Sequence, residues 1–488
     1  MSPSAYDTAQ ALYLAPPGSN IWPALEWLLS VQATDGGWGD PAWGPRTREV
    51  PTLAALLALH KYGQRKDELN ALQAGLAFLR RSVSDWNLPL PDDLPVGIEL
   101  IVPYLTEQAL HADLPIPQVA AASLDTIGAP RRAGLMRLRP GAGTPAVHSW
   151  EAWGGSSPDL SVVDQHGGIG SSPAATVAWL HATKADPTLH AARARALEYL
   201  EAASQATGTG IPGVMPTAWP IDRFEQTYAL HTLWSVGLLN HPRLRDTIAP
   251  HIDSLDQLLR QQGVGFNDTF TPDADDTAAA LAVLHASRRA PDMARLNVFA
   301  SDNHYQTYEG ELQPSVITTA RAVQCRVLSG QPTAAFDSWL LDRQGADGLW
   351  ISDKWNGAPL YSTWQVILAL IPSGHQPALI TCREGILAHQ HRDGGWGDGG
   401  SSTFENTAYA VLALRTLWLA KLLSEQAEAA LTRGEIWLQK HYQPFAVSSE
   451  RHWLAKVRYR PERVSRVIEL VALLPREMLS LPYDPPCA

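Results

Sequence analysis

Apolar residues recur along the chain at the three- and four-residue spacing of helices, and almost nowhere at the two-residue spacing of strands. "ALEWLLSVQ" from Ala24 and "EVPTLAALLALHKYG" from Glu49 each read as a helix. The polar "QATDGGWGD" (32–40) between them reads as a turn in which glycine takes a positive φ and the tryptophan folds back over the helix end. The same unit returns far along the sequence as "REGILAHQ", "QHRDGGWGD" (390–398) and "FENTAYAVLALRTLW" from Phe404. A recurring helix, turn and helix predicts an architecture of stacked helix pairs.

Weaker copies of the second half of this unit are "SSPAATVAWLHA" from Ser171, "RFEQTYALHTLWSVG" from Arg223, "DADDTAAALAVLHA" from Asp273 and "LYSTWQVILAL" from Leu360. Small or hydroxylated residues at the start, then alanine and leucine at helical spacing, suit close helix-to-helix approach, so these are expected to be inner helices. The chain is therefore expected to be all-α, as solenoids or closed α/α barrels, and 488 residues give room for two barrels. "PLPDDLPVG" (89–97) and "GTGIPGVMPTAWP" (208–220) are expected to be loops.

Composition narrows the function. With 45% hydrophobic and 18% charged residues the chain is globular rather than disordered. A net charge of −11 argues against a nucleic-acid partner, which requires a basic face. Cys325, Cys382 and Cys487 form no CxxC pair, so neither a disulfide framework nor a thiolate zinc site is expected. The opening "MSPSAYDTAQALYLAPPGSN" lacks a basic, apolar leader, and no apolar run reaches the length of a membrane span, so a cytoplasmic protein without a transmembrane segment is expected. Eighteen tryptophans against eight phenylalanines imply a repeated packing device, a cavity lined with indole faces, or both.

The chemistry concentrates in "TPDADDTAAALAV" (271–283), where Asp273, Asp275 and Asp276 open a helix that turns almost wholly apolar. Such a trio reads in three ways: a cap with an exposed first turn, a divalent-cation site, or a carboxyl cluster held protonated at a greasy pocket. The run of alanine, leucine and valine favours burial, and hence the last.

Taken with "SAYDTA" (4–9), "PVGIELIVPYL" (95–105), "DKWNGAPLYSTW" (353–364) and the two DGGWG turns, "DADD" resembles the DxDD signature of the class II terpene cyclases, more narrowly the bacterial two-domain diterpene cyclases. The resemblance runs in order from residue 4 to "LAKVRYRPERVSRVIELVALL" near the end. It implies two α/α-barrel domains: a β domain formed by 1–20 and 245–488 and carrying the acid motif, and a γ domain, 21–244, inserted after the first helix, with the active site between them. It further implies protonation-initiated cyclisation of geranylgeranyl diphosphate to a labdane-, halimane- or clerodane-type diphosphate, or alternatively of farnesyl diphosphate to drimenyl diphosphate. Asp275, the middle carboxylate, would be the general acid.

An alkene is a very weak base, so its acid has to stay protonated. Crowding by Asp273 and Asp276, together with burial, is expected to hold a proton on Asp275 against the helix dipole. Candidate aromatic faces for the carbocation are Trp150, Trp153, Trp219, Tyr305, Trp355 and Tyr361, each worth about 0.5–2 kcal/mol. By the resemblance, His148 in "PAVHSWEAW" is a terminating base whose family partner, an Asn, is missing near Gly213, and Thr319 stands where many members carry an Asn bonded to the acid. Asp92 and Asp93, with Glu99, lie where the family has an acidic magnesium motif, making Mg²⁺ the expected cofactor. Arg137, Arg139 and Lys354 are candidate diphosphate contacts. No DDxxD motif occurs, so the diphosphate is expected to survive for a downstream class I terpene synthase or phosphatase.

Two other enzymes share this kind of barrel. A protein prenyltransferase would need a Cys, His and Asp zinc site, which the cysteines do not suggest. A glycosidase would spread its carboxylates over several inner helices rather than three on one. A non-enzymatic helical-repeat binder would leave "DADD" without a role.

Overall fold

The computed structural model describes residues 1–483 except Ser19, 91–93, 156–158, 310, 312–313, 351–352, 399 and 445. Helices dominate, and the paired strands among the described residues are the two-residue β1 (Trp453–Leu454) and β2 (Arg458–Tyr459), which run antiparallel.

The chain divides into two compact units. The first comprises residues 1–220, 269–271 and 451–460 and holds α1 (Ala5–Leu14), α2 (Trp22–Ser30), α3 (Glu49–Tyr62), α4 (Lys66–Ser82), α5 (Ile98–His111), α6 (Val119–Leu138), α7 (Pro173–Ala182) and α8 (His190–Gln205). Here α1, α3, α5, the 3₁₀ segment Pro145–Ala152 and α7 pack each on the next, and α7 returns to α1. That ring is sheathed by α2, α4, α6 and α8.

The second unit, 221–268, 272–450 and 461–488, holds α9 (Asp222–Ser235), α10 (Arg245–Gln261), α11 (Ala274–Ala286), α12 (Val316–Leu328), α13 (Ala334–Leu341), α14 (Pro359–Leu370), α15 (Gln376–Ala388), α16 (Phe404–Leu419), α17 (Glu425–His441) and α18 (Glu462–Leu473). Its inner ring runs α9, α11, α12, α14, α16, α18 and back to α9. Each unit is thus an α/α barrel.

The two kinds of helix differ as their sequences require. Inner α11 buries every residue from Ala274 to Leu284. Outer α10 buries Ile248, Ile252, Leu255 and Leu259, one stripe of a 3.6-residue repeat. Each such side chain contributes roughly 1.5–3 kcal/mol when fully buried.

The DGGWG turns act as clamps. Trp38 donates its backbone N–H to Thr52 Oγ1 (3.0 Å) on the following inner helix and its indole N–H to Leu28 O (2.8 Å) on the preceding outer one. Trp396 repeats this with Thr407 (2.9 Å) and Ile386 (2.8 Å). A third copy, hidden in "QGADGLW" (344–350), joins Trp350 to Thr363 (3.0 Å) and Leu340 (2.7 Å). Gly36, at φ +92°, cannot carry a side chain, because a Cβ would lie 2.4 Å from Ala74 O. The threonine half of the clamp recurs without the tryptophan: Thr8, Thr176, Thr277 and Thr319 accept the backbone N–H of Met215, Ile169, Val264 and Tyr305, at 2.9 to 3.1 Å.

These units are drawn differently from the expected domains. Residues 1–18 go with the first unit, where Asp7 Oδ1 accepts Ala174 N–H at 3.2 Å and Ser2 bonds Arg460. The division falls at 220/221 rather than near 245, because α9 closes the second ring between α11 and α18.

Candidate active site

The acid motif sits at the start of α11 in the second unit. Asp273 caps the helix, its Oδ1 accepting the N–H of Asp276 at 2.8 Å. Its side chain also bonds that of Asp276, and the next two carboxylates turn to different helices. Asp276 accepts the hydroxyl of Thr227 on α9, whereas Asp275 points to α12, where Thr318 Oγ1 donates to its Oδ2 at 2.9 Å. All three are buried, and among the described residues they do not gather into a metal-ligand set. The exposed first turn is therefore overturned, while the cap at Asp273 is present.

Beneath Asp275 lies a buried arginine. Arg321, one helical turn after Thr318 on α12, brings Nη1 to 3.6 Å from Asp275 Oδ1. Its Nη2 donates to Tyr361 Oη at 2.5 Å, and its guanidinium carbon stands 3.8 Å from the centre of the Tyr228 ring. Neither Asp275 Oδ1 nor Arg321 Nη1 makes a hydrogen bond.

Burial is the first cause that raises the Asp275 pKa, opposed by Arg321 and by the Thr318 hydroxyl. Asp273 is raised by burial and then by the charge of Asp276, and Asp276 is pushed up to about 7, again by burial first. Crowding thus acts most on the flanking carboxyls, while the middle one is governed by desolvation and, against it, by Arg321, Thr318 and Lys354. The arginine was not anticipated: within "SVITTARAVQCRVL" the signal was an arginine three residues after a threonine on an otherwise apolar stripe.

Thr319 does not bond the acid. It is a clamp threonine, accepting Tyr305 N–H at 3.1 Å, and its neighbour Thr318 meets Asp275 instead. One residue along a helix is a rotation of about 100°, so the two side chains face different neighbours. Tyr305 packs its ring 5.0 Å from Phe336 of α13, with its hydroxyl bonded to Arg326 at 3.2 Å. Trp355 donates its indole N–H to Thr307 Oγ1 at 2.7 Å. Lys354 is buried, and its ammonium is paired with Glu311.

The first unit holds the remaining candidates. His148 is buried, with Nδ1 donating to Gly170 O at 2.8 Å, which leaves the Nε2 lone pair. Burial, helped by the Lys456 charge, pushes its pKa down to about 3, so the imidazole is neutral. Trp150, Trp153 and Arg139 line one pocket of about 200 Å³ with Met136, Asp159 and Val162. Trp219 packs 5.4 Å from the Tyr199 ring, and Arg137 is exposed. Glu99 is ion-paired with Arg131 at 2.6 Å. Asp92 and Asp93 lie outside the described residues.

A buried network near His148 was also unforeseen. Lys456 Nζ pairs with Glu151 Oε1 at 2.6 Å, and Tyr6 Oη donates to the same oxygen at 2.7 Å.

No family model matches the chain. It is 45% identical to (+)-kolavenyl diphosphate synthase of Herpetosiphon aurantiacus, over 97% of this chain and 94% of that one. To ent-copalyl diphosphate synthase of Streptomyces sp. KO-3988 it is 30% identical over 98% and 93%. The solved ent-copalyl diphosphate synthase from Streptomyces platensis superposes with a TM-score of 0.79 at 28% identity, covering 97% of this chain and 95% of that one.

Proposed function

The chain belongs to the class II diterpene cyclases, and we propose that it cyclises geranylgeranyl diphosphate to a bicyclic diterpenyl diphosphate of labdane, halimane or clerodane type, with the diphosphate retained. The observation that carries this reading is Asp275: a buried carboxyl whose Oδ1 has no hydrogen-bond partner. A buried polar atom left unpaired is costly and calls for a partner from outside the protein. The π bond of the substrate is such a partner.

In the step proposed, the Asp275 O–H bond breaks as a C–H bond forms at the terminal double bond. A tertiary carbocation and an Asp275 carboxylate result, and closure of two rings consumes the next two double bonds and leaves the allylic one beside the diphosphate. The new carboxylate is stabilised by Arg321 and Thr318, which strengthens the acid at the moment of transfer. Loss of a proton from the cyclised cation then gives an isomer of the substrate. His148 is the proposed acceptor, since a carbocation is so strong an acid that a neutral lone pair suffices whatever its basicity. Trp150, Trp153, Trp219, Trp355 and Tyr361 are the proposed cation-facing rings.

The relatives named above favour a C20 substrate over the C15 alternative, and the 45% identity to a kolavenyl diphosphate synthase favours a clerodane-type skeleton. We propose Mg²⁺ as the ion that neutralises the diphosphate, through Asp92, Asp93 and diphosphate oxygens. Glu99 fits a ligand role poorly while Arg131 holds it. A class I terpene synthase or a phosphatase would consume the product. No helix of the described residues is long and apolar enough to cross a membrane.

The test is incubation of purified protein and Asp275→Asn with Mg²⁺ and geranylgeranyl or farnesyl diphosphate, then phosphatase treatment and mass spectrometry. A bicyclic C20 alcohol from the parent enzyme and at least about 10³-fold less from the variant is expected. Linear alcohols alone from folded parent protein would sink the reading.

A further inference from the structure

A general acid with two oxygens has to carry its proton on the one that faces the substrate, and a short chain of donors behind Asp275 bears on which one that is. Trp355 Nε1 lies 2.7 Å from Thr307 Oγ1, Thr307 Oγ1 lies 3.2 Å from Thr318 Oγ1, and Thr318 Oγ1 lies 2.9 Å from Asp275 Oδ2. Thr307 and Thr318 are buried, so each hydroxyl proton needs an acceptor within the protein.

An indole N–H only donates, and a threonine hydroxyl has one proton to give. With Trp355 occupying the acceptor side of Thr307, the Thr307 proton is left to face Thr318, and the Thr318 proton is left to Asp275 Oδ2. The opposite polarity would have Oδ2 carry the acid proton and donate it to Thr318, with Thr318 donating to Thr307. Thr307 would then receive two donors and keep a buried proton with no acceptor. Each polarity leaves one proton without a protein acceptor, that of Oδ1 in the first and that of Thr307 in the second; an alkene seated against Oδ1 meets only the former, so with substrate bound the first polarity is favoured by the about 1–3 kcal/mol of an unmet buried donor.

We propose that Thr307 and Trp355 are positioning residues for the acid: the one-way donor chain that begins at the Trp355 indole ends on Asp275 Oδ2 and confines the transferable proton to Oδ1. The inference rests on the acid role given to Asp275. Oδ1 is the oxygen without a partner, so the proton it carries has no acceptor in the protein and is held ready for an alkene. Thr307 is placed for this by its backbone as well: its carbonyl accepts the N–H of Ala274, the first residue of the acid helix, at 2.9 Å, and its N–H donates to Glu311 Oε2 at 3.0 Å. Trp355, expected from the sequence to offer a ring face to a cation, thus has a second task at its nitrogen.

The chain is also a dead end for protons, because an indole nitrogen does not relay them at neutral pH. It orients the acid without reloading it, and the proton spent in each turnover returns by another route.

The experiment compares Thr307→Val, Thr307→Ser and Trp355→Phe with the parent and with Asp275→Asn. The first readout needs no substrate: the infrared carbonyl stretch of protonated Asp275, identified by its loss in Asp275→Asn. With Oδ2 as the hydrogen-bonded carbonyl oxygen, the band should move to higher frequency in Thr307→Val and Trp355→Phe and return in Thr307→Ser. The second is the pH profile of kcat on geranylgeranyl diphosphate. Thr307→Val should lower kcat about five- to tenfold with KM within about twofold. Its alkaline limb should shift to higher pH, because a Thr318 hydroxyl no longer polarised by Thr307 is a weaker donor to the carboxylate. Thr307→Ser should restore both.

An unmoved band with an unchanged pH limb in Thr307→Val, or a Thr307→Ser as impaired as Thr307→Val, would overturn the relay while leaving Asp275 as the acid. Should Thr307→Val fail to fold, Trp355→Phe decides the matter by the same two readouts. Full activity in Asp275→Asn would instead overturn the acid assignment itself.

Discussion

Asp275 Oδ1 and Arg321 Nη1 face each other across 3.6 Å, and neither makes a hydrogen bond. The distance is short enough for strong electrostatic coupling at low dielectric and too long to share a proton. In the protonation proposed for Asp275, the carboxylate is therefore met by a cation as soon as the proton leaves.

Replacing the guanidinium tests this coupling. Arg321→Met keeps length and apolar volume but removes the charge that lowers the Asp275 pKa. The carboxyl should then titrate higher and be a weaker acid. The expected result is a kcat lower by about 10²-fold, with an alkaline limb displaced to higher pH, read from a pH–rate profile. A lower kcat with the limb in place would mean that Arg321 acts only through packing.

Adjacent threonines on α12 should behave differently. Thr318→Val removes the hydroxyl that bonds Asp275 and should cut kcat about tenfold, with little change in melting temperature. Thr319→Val removes the clamp to Tyr305 N–H and should lower the melting temperature by a few degrees, with kcat per folded enzyme nearly unchanged. Calorimetry and steady-state kinetics on the two variants give the comparison, and a reversal of the two effects would restore Thr319 as the partner of the acid.

His148→Ala tests termination. Substrate consumption should persist within a few-fold, because protonation is not touched, while the product mixture should shift to other double-bond isomers or to hydroxylated diphosphates. Chromatography with mass detection after dephosphorylation would show this. An unaltered product would remove His148 from the reaction.

Stability should depend on pH through carboxyls that have no part in the chemistry. Glu49, buried at the start of α3 and bonded to the Trp86 indole at 3.4 Å, is pushed up to about 7 from 4.5, with burial as the first cause. A group raised in the folded state contributes its stability below its unfolded pKa and loses it as pH rises through the folded value. Glu49→Gln should therefore leave the protein unchanged near pH 4 and stabilise it on the order of 3 kcal/mol at pH 8. Denaturant melts at the two pH values measure the difference, and an equal effect at both would disprove the assignment.

The barrels were legible because their device repeats: "DGGWGD" at two positions, and inner helices with alanine and leucine all round, carry their burial in local pattern. The third tryptophan clamp was missed because Leu349 stands where the other copies have glycine. Asp275 was legible because a charged turn running into an apolar helix contradicts itself unless it has a purpose. Arg321 was not, since an arginine within a helix ordinarily reads as surface. Its burial depends on Asp275, Tyr228 and Tyr361, which come from three other helices. The exchange of Thr319 for Thr318 is a matter of helical phase, fixed by which hydroxyl the preceding loop engages. Asp92 and Asp93 were legible as chemistry, but they lie outside the described residues.

The clamp threonines make the barrel interiors addressable. Whichever helix carries it, the threonine bonded to a loop, the preceding one except at Thr8, fixes the rotation of that helix, and the residue just before it is buried: Asp7 before Thr8, Asp276 before Thr277, Thr318 before Thr319, Ser362 before Thr363 and Asn406 before Thr407. Seven inner helices thus share a coordinate system in which a side chain can be exchanged at a known address while the frame stays put. Reshaping the product by mutation then becomes a search over a few rows of that grid, with the threonines held constant.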